Sequence, residues 1–218
     1  MRIWSRPTGG ARGTVQLFTG CTGAIAERDT LAAARALLTA LGYAVQTPAA
    51  QSCCGALDWH AGRRADALPL MTRNLSAFDP ALPVISVASG CGAFLAEYRE
   101  HTGAALAAHD ILMFLDGADW SGVSLAPVAK KIGVHVSCSL RNALRGEKAM
   151  MNVLARLPGA TLIDLPENTL CCGGAGDYAL AHADSSRALA ARKAALTIES
   201  GAEVVVTANI GCRLSLQA

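Results

Sequence analysis

Apolar and polar positions along this chain change period in a regular order. Residues 14–18, Thr-Val-Gln-Leu-Phe, alternate as a strand does and stop shortly before Cys21. Residues 27–41 then follow a helical spacing, with Leu31, Ala34, Leu38 and Leu41 on one face and Gly42 as the stop. A short strand over 43–46 leads through a loop to Cys53, a helix covers 65–77, and a third strand over 84–87 ends before Cys91. Two more helices are predicted over 94–100 and 110–115. The order then repeats. A strand over 132–136 runs into Cys138, and a helix spans 147–156. A strand over 161–165 leads to Cys171, a helix spans 183–200, and a strand over 204–207 runs into Cys212.

Strands that alternate with helices predict parallel sheets joined by right-handed crossovers. The fold class is therefore α/β: two tandem, pseudo-symmetric βα repeats, over 1–117 and 118–218, with metal sites at the C-terminal strand edges. Residues 116–131 hold Gly117, Gly122 and Pro127 and form the connection between the repeats.

Composition narrows the classes of function. Lys and Arg number 19 against 17 Asp and Glu, and a net charge of +2 is too small for a nucleic-acid binder. Hydrophobic residues make up 52% and charged residues 17%, a balance that folds rather than stays disordered. Apolar runs such as Ile111-Leu112-Met113-Phe114-Leu115 fall far short of the roughly 18 residues of a transmembrane segment. The start, Met1-Arg2-Ile3-Trp4-Ser5-Arg6, has no apolar export core. The expected location is the cytoplasm, with any attachment to the inner membrane made through partners.

The eight cysteines change the picture most. In a secreted chain they would suggest a disulfide framework, but this chain is long, aliphatic and expected in a reducing compartment. They are also duplicated. Cys21, Cys53-Cys54-Gly55 and Cys91 recur as Cys138, Cys171-Cys172-Gly173 and Cys212, at offsets of 117, 118 and 121 positions. Each cysteine site follows a strand, so the topology gathers four thiols beyond the carboxyl ends of each parallel sheet, where open α/β sheets bind their ligands. Helix N-termini at that edge favour thiolates and an anionic cluster.

Three chemistries compete for such a set. A structural zinc ion needs four ligands, but zinc sites usually use C-x₂₋₄-C knuckles, which are missing. The clustered spacing of ordinary ferredoxins is missing too. An iron–sulfur cluster held by dispersed thiolates accounts best for the adjacent cysteines, because neighbouring side chains reach two metal atoms more readily than one. Thiol–disulfide chemistry without a metal is the third reading.

These residues resemble the tandem CCG, or cysteine-rich, domain family. That family includes lactate utilization protein A, the glycolate oxidase iron–sulfur subunit, and one subunit each of heterodisulfide reductase and anaerobic glycerol-3-phosphate dehydrogenase. The likeness is greatest to the glycolate oxidase subunit. It is carried by Cys53-Cys54-Gly55-Ala56-Leu57 with His60 and Gly62, and by Ala88-Ser89-Gly90-Cys91-Gly92. Cys171-Cys172-Gly173-Gly174-Ala175-Gly176 with Tyr178, and Val206-Thr207-Ala208-Asn209-Ile210-Gly211-Cys212, complete it. The resemblance implies one or two iron–sulfur clusters of the 4Fe-4S type. Their ligands would be Cys21, Cys53, Cys54 and Cys91, and Cys138, Cys171, Cys172 and Cys212, with zinc in one repeat as the alternative.

It further implies an electron-transfer subunit of a glycolate- or lactate-type 2-hydroxy-acid oxidase or dehydrogenase. Such a subunit works in a hetero-oligomer with a flavoprotein subunit and a ferredoxin-type iron–sulfur protein, since this chain carries no ferredoxin module itself. The alternatives are a thiol/disulfide redox enzyme like heterodisulfide reductase and a zinc-stabilised scaffold without redox activity. In the heterodisulfide reductase member of the family a fifth cysteine in each half makes a noncubane cluster. Phe94 and Ser215 stand at those positions here, which argues against fifth-cysteine ligation and disulfide cleavage.

The other candidates read more plainly. His60 is expected to cap or pack, His135 to sit in the core, and His182 to face either a cluster or water. Arg141 and Arg213 lie close enough to cysteines to offset anionic charge, though solvation is the commoner role. The glycines at 173, 174 and 176 are expected to let backbone approach a cluster. No Ser/His/Asp grouping or carboxylate pair suggests a catalytic site of another kind. After Cys212 only six residues follow, whereas the first repeat continues through an apolar stretch after Cys91. Apolar surface beside Cys212, around Leu214 and Leu216, is therefore expected to meet a partner.

Overall fold

The computed structural model describes residues 12–217, so the expectation about an export signal falls outside the described residues. The chain divides into two compact units between Ala126 and Pro127.

The first unit runs β1 (Gly13–Phe18), α1 (Cys21–Ala26), α2 (Arg28–Ala40), β2 (Tyr43–Gln46), α3 (Ala56–His60), α4 (Arg64–Ala77), β3 (Val84–Ser86), α5 (Ser89–Ala96), α6 (Tyr98–Thr102), β4 (Ala108–Asp110) and α7 (Ile111–Asp116). Its four strands form one parallel sheet in the order β2-β1-β3-β4. Side chains alternate across β1. Phe18 points into a cluster with Met71, Phe78, Val84, Phe94, Leu95 and Tyr98, while Leu17 packs with Leu31, Ala34 and Val87 on the other face. Both faces are covered, as a parallel sheet requires. Gln16 is buried in the middle of β1. Its amide donates to Asp79 O at 2.9 Å and its Oε1 accepts from Asp79 N at 2.9 Å, which satisfies the polar group and ties the strand to the loop after α4.

The second unit runs β5 (Lys131–His135), a π-helical turn (Ser139–Ala143), α8 (Glu147–Leu154), β6 (Thr161–Asp164), α9 (Tyr178–Ala181), α10 (Ala183–Glu199), β7 (Val204–Thr207) and α11 (Ile210–Gln217). Its sheet, also parallel, has the order β6-β5-β7. Ile132, Val134, Val136, Leu140, Met150 and Leu165 are buried in it.

The parallel sheets and the repeated βα order follow the periodicity. Three local features do not. Residues 21–26 form a helix of their own ahead of α2, and short helices follow both Cys-Cys pairs. Residues 108–110 form β4, a three-residue strand whose pattern is too short to read and which exists because β3 offers it a parallel edge. β7 takes the place of β3 in the second sheet, and among the described residues no strand pairs with its other side. Leu214 on α11 is 43% exposed, Leu216 is half-buried, and Val204 at the start of β7 is 45% exposed. Among the described residues no helix is long and apolar enough to cross a membrane.

Candidate metal centre

All eight cysteines are free, and each unit places its four in the same four settings. Cys21 opens α1 three residues after the end of β1, and Cys138 stands at the start of the π-helical turn after β5. Cys53-Cys54 and Cys171-Cys172 lie in the loops after β2 and β6. Cys91 and Cys212 sit in the first turns of α5 and α11, which follow β3 and β7. Exposure repeats in three of the four: Cys21 and Cys138 are exposed, Cys53 and Cys171 half-buried, Cys54 and Cys172 buried, whereas Cys91 is half-buried and Cys212 buried. Each set is thus rooted in the protein on one side and open to solvent on the other.

In the first unit the sulfurs form a chain. Cys21 Sγ donates to Cys53 Sγ at 3.4 Å, Cys53 to Cys54, and Cys54 to Cys91. Donation to Cys53, together with burial, pushes the Cys21 thiol up. Cys54 is also raised. The bond it accepts from Cys53 lowers it, but its own donation to Cys91 and its burial outweigh that. Gly55, at φ 87°, turns the chain so that its N–H reaches Cys53 Sγ at 3.5 Å. The pair is held from behind by neutral groups. Asn74 Nδ2 donates to Cys53 O at 2.9 Å and to Tyr98 Oη at 3.0 Å, and Tyr98 Oη donates to Cys54 O at 2.7 Å. Burial pushes the Tyr98 phenol up, so it remains a donor.

In the second unit the bonds converge on one sulfur. Cys172 accepts from Cys212, from the Gly174 N–H and from Cys171, which together lower its thiol well below the ordinary range. Cys212, the donor, is raised. Gly173, at φ 80°, repeats the turn of Gly55 and gives its N–H to Cys171 Sγ at 3.4 Å. The groups behind this pair differ from those in the first unit. Ser215 Oγ donates to Cys172 O, Ser186 Oγ to Gly173 O at 2.9 Å, and Lys193 Nζ to Glu167 O at 2.7 Å. Lys193 is fully buried. Burial, joined by the Arg141 charge, lowers its amine, while the Cys172 thiol, Glu167 and Asp164 act against that shift. A cavity of about 70 Å³, room for several waters, opens among His135, Arg141, Asn168, Cys138, Cys171, Cys172 and Cys212.

The glycines after Cys172 have protein backbone as their close neighbour. A Cβ on Gly173 would lie 2.4 Å from Ser186 O, one on Gly174 would lie 2.3 Å from Gly211 O, and one on Gly211 would lie 2.4 Å from Gly174 O. Gly173 lets the Cys-Cys loop press against α10, and Gly174 and Gly211 let it press against α11. Phe94 is buried in the same apolar cluster as Cys53, Cys54 and Cys91, and Ser215 donates to the backbone of the second Cys-Cys pair. Both positions named by the fifth-cysteine comparison therefore face their sites.

His60 is exposed and meets the edge of Phe94 at 5.6 Å, and His182 is exposed and stacks on Tyr178 at 4.5 Å, so both pack against rings. Arg141 makes a two-point ion pair with Glu147 at 2.9 and 3.0 Å and donates to Asn168 O at 2.8 Å. Arg213 bonds Gln217. His135 is buried as expected. The sequence did not suggest that one of its ring nitrogens and the sulfurs of Cys172 and Cys212 would lie within 4.8 Å of one another. Asn74, Tyr98 and Lys193 were also missed, because nothing local marks a helix residue as the support of a distant loop.

The cysteine-rich domain model (CCG) matches residues 15–96 and again 132–217, one copy for each cysteine set. The chain belongs to the cysteine-rich (CCG) domain family. Relatives in this family include the glycolate oxidase iron–sulfur subunit of Escherichia coli, 34% identical over 93% of this chain and 53% of that protein. Lactate utilization protein A of Bacillus velezensis is 28% identical over 93% of this chain and 90% of that protein. A subunit of the fumarate reductase (CoM/CoB) of Methanothermobacter marburgensis is 27% identical over 93% and 41%. The chain spans about half the length of the glycolate oxidase subunits it matches. The donor chemistry fits an iron–sulfur group. Soft sulfur atoms converge, backbone N–H groups already point at Cys53 and Cys171, and helix N-termini offer partial positive charge to an anionic centre.

Proposed function

We propose that this chain is the cluster-bearing, electron-transferring subunit of an iron–sulfur oxidoreductase that oxidises a small 2-hydroxy acid. The observation that carries this reading is the gathering of four thiols at the carboxyl edge of each parallel sheet, half rooted and half open to solvent. The names of its relatives, two of them proteins that handle glycolate or lactate, point to the substrate class.

Cys21, Cys53, Cys54 and Cys91 would hold one group, and Cys138, Cys171, Cys172 and Cys212 a second, each of the 4Fe-4S type. When bound, such a cluster takes up and passes on single electrons at a potential set by its surroundings. The chain's own residues do the rest. Gly55 and Gly173 aim N–H groups at sulfur, Asn74 and Tyr98 fix the first Cys-Cys loop, and Ser186 and Ser215 fix the second. The exposed thiols Cys21 and Cys138 mark the sides from which electrons would enter or leave. A flavoprotein subunit would supply them, and a ferredoxin-type protein or another carrier would take them, in a cytoplasmic hetero-oligomer.

Anaerobic purification with iron, sulfide and zinc analysis, followed by EPR of the reduced protein, tests this. Iron with matching sulfide and a reducible EPR signal is expected. Zinc without sulfide would replace the redox reading with a zinc-stabilised scaffold, and turnover of a disulfide without any flavoprotein would replace it with thiol chemistry.

A further inference from the structure

The two cysteine sets occupy matching places, yet the side chains around them differ at one position that a metal would sense. Three residues before Cys21, at the end of β1, stands Phe18. Three residues before Cys138, at the end of β5, stands His135. The partner strand differs in step: Phe18 lies opposite Ser86 on β3, and His135 lies opposite Thr207 on β7. Phe18 is a core residue packed with Phe78 at 6.1 Å between ring centres. His135 is equally buried, but its Nδ1 meets Thr207 Oγ1 at 2.9 Å and its ring lines the cavity that all four second-unit cysteines share. A ligand nitrogen of His135 and the sulfurs of Cys172 and Cys212 fall within 4.8 Å of one another.

We propose that His135 is a metal ligand of the second centre, which is thereby a mixed imidazole–thiolate site, while the first centre is held by thiolates alone. This rests on the iron–sulfur reading above and deepens it. Three features carry it. The first is the distance, which puts imidazole and two thiols around one point. The second is the Thr207 bond, because ligating histidines ordinarily engage their second ring nitrogen with a hydrogen-bonding group that fixes the ring. That leaves Nε2 as the donor. The third is supply: the second unit offers five soft or borderline donors, one more than the four a 4Fe-4S cluster takes, so His135 would stand in for one of the four cysteines assigned above. A neutral imidazole in place of an anionic thiolate lowers the negative charge on the centre and raises its reduction potential.

The test uses the full chain reconstituted anaerobically with iron and sulfide, as parent and as His135→Phe, the residue the first unit carries. His135→Gln, which keeps a hydrogen-bonding group for Thr207, guards against a folding defect and is read in place of His135→Phe where circular dichroism shows the latter unfolded. Pulsed EPR of the reduced protein, grown with and without ¹⁵N-histidine, should show a histidine nitrogen coupling in the parent. That coupling should be lost in both variants, while the signal of the first centre persists. The midpoint potential of the second centre should fall in the variants.

Iron and sulfide bound, with no histidine coupling or with coupling unchanged in the variants, overturns the ligand and leaves the cluster reading standing. A parent that binds no iron and sulfide overturns the cluster reading instead. Titration with cobalt(II) then decides His135 by itself: absorption bands that shift in His135→Phe and His135→Gln support an imidazole ligand, and identical bands overturn it.

Discussion

The two units build the same cysteine frame from the same order of elements, and they support it with opposite chemistry. In the first, the helix behind the Cys-Cys loop presents Ala67, Met71 and Asn74, and the support is neutral and aromatic, completed by Tyr98 and Phe94. In the second, the matching helix buries Ser186 and Lys193, and the site adds His135, Arg141 and an exposed flank on β7. The geometry that gathers sulfur is thus independent of the field around it. A backbone topology places thiols at a sheet edge. The residues one layer back decide how stable each charge state of the centre is.

The largest expected effect tests whether the frames are equivalent at all. Cys54→Ser and Cys172→Ser should each remove the iron and visible absorbance of their own unit and spare the other, since serine oxygen is a harder and poorer ligand for iron. Iron analysis per chain reads it, and an unchanged iron content in Cys172→Ser would mean that the second unit carries no cluster.

Adding one methyl group at the same motif position in each unit should separate them next. Gly55 and Gly173 share a positive φ, but the added Cβ would meet Ala67 O at 3.2 Å in the first and Ser186 O at 2.4 Å in the second. Gly55→Ala should cost about 1–2 kcal/mol, the ordinary cost of a left-handed side chain. Gly173→Ala should cost about 3 kcal/mol or more, because backbone must also move. Urea denaturation of the two variants measures the difference, and equal losses would show that the second loop gives way as easily as the first.

Asp110, which ends β4, has no counterpart in the second unit. Its Oδ1 caps α7 by accepting from Leu112 N at 2.9 Å, its Oδ2 is buried without a partner, and burial pushes the carboxyl up to about 6 from 3.8. The native state therefore holds this proton more tightly than the unfolded chain does. The stability it contributes is present below pH 3.8 and is lost as the pH rises through 6. Over that interval the parent should lose about 2 kcal/mol relative to Asp110→Asn, which keeps the cap and cannot ionise. Denaturation curves of both proteins at several pH values check this, and parallel pH profiles would refute it.

The smallest effect concerns the field. Lys193→Met removes a buried positive charge beside Cys172 and should lower the midpoint of the second centre by on the order of 60 mV, the one-electron equivalent of a tenfold change in equilibrium. The first centre, backed by Asn74, should not move. Potentiometric titration followed by EPR distinguishes the two, and a common shift in both would show that the change is not local.

Much of this molecule was legible before any coordinates. The strand at 14–18 and the helix over 27–41 announce themselves by period. The pairing of Cys21, Cys53, Cys54 and Cys91 with Cys138, Cys171, Cys172 and Cys212 is a repeat written in residue numbers. The gathering of each set at one sheet edge follows from parallel topology alone. These features are local or combinatorial, so a one-dimensional string carries them. What tertiary structure alone decided lies between residues far apart in the chain. β4 exists only because β3 has a free edge, and Gly174 and Gly211 are glycines because the loop after Cys172 touches α11 there. Lys193 is buried because its helix lies on the Cys171-Cys172 loop and Glu167 O receives its amine. His135 reads as an ordinary core residue in its own strand. Only the packing of β5 against β7, with Cys172 brought in from the loop after β6 and Cys212 from the first turn of α11, sets its imidazole against sulfur, and no periodicity records a distance through space.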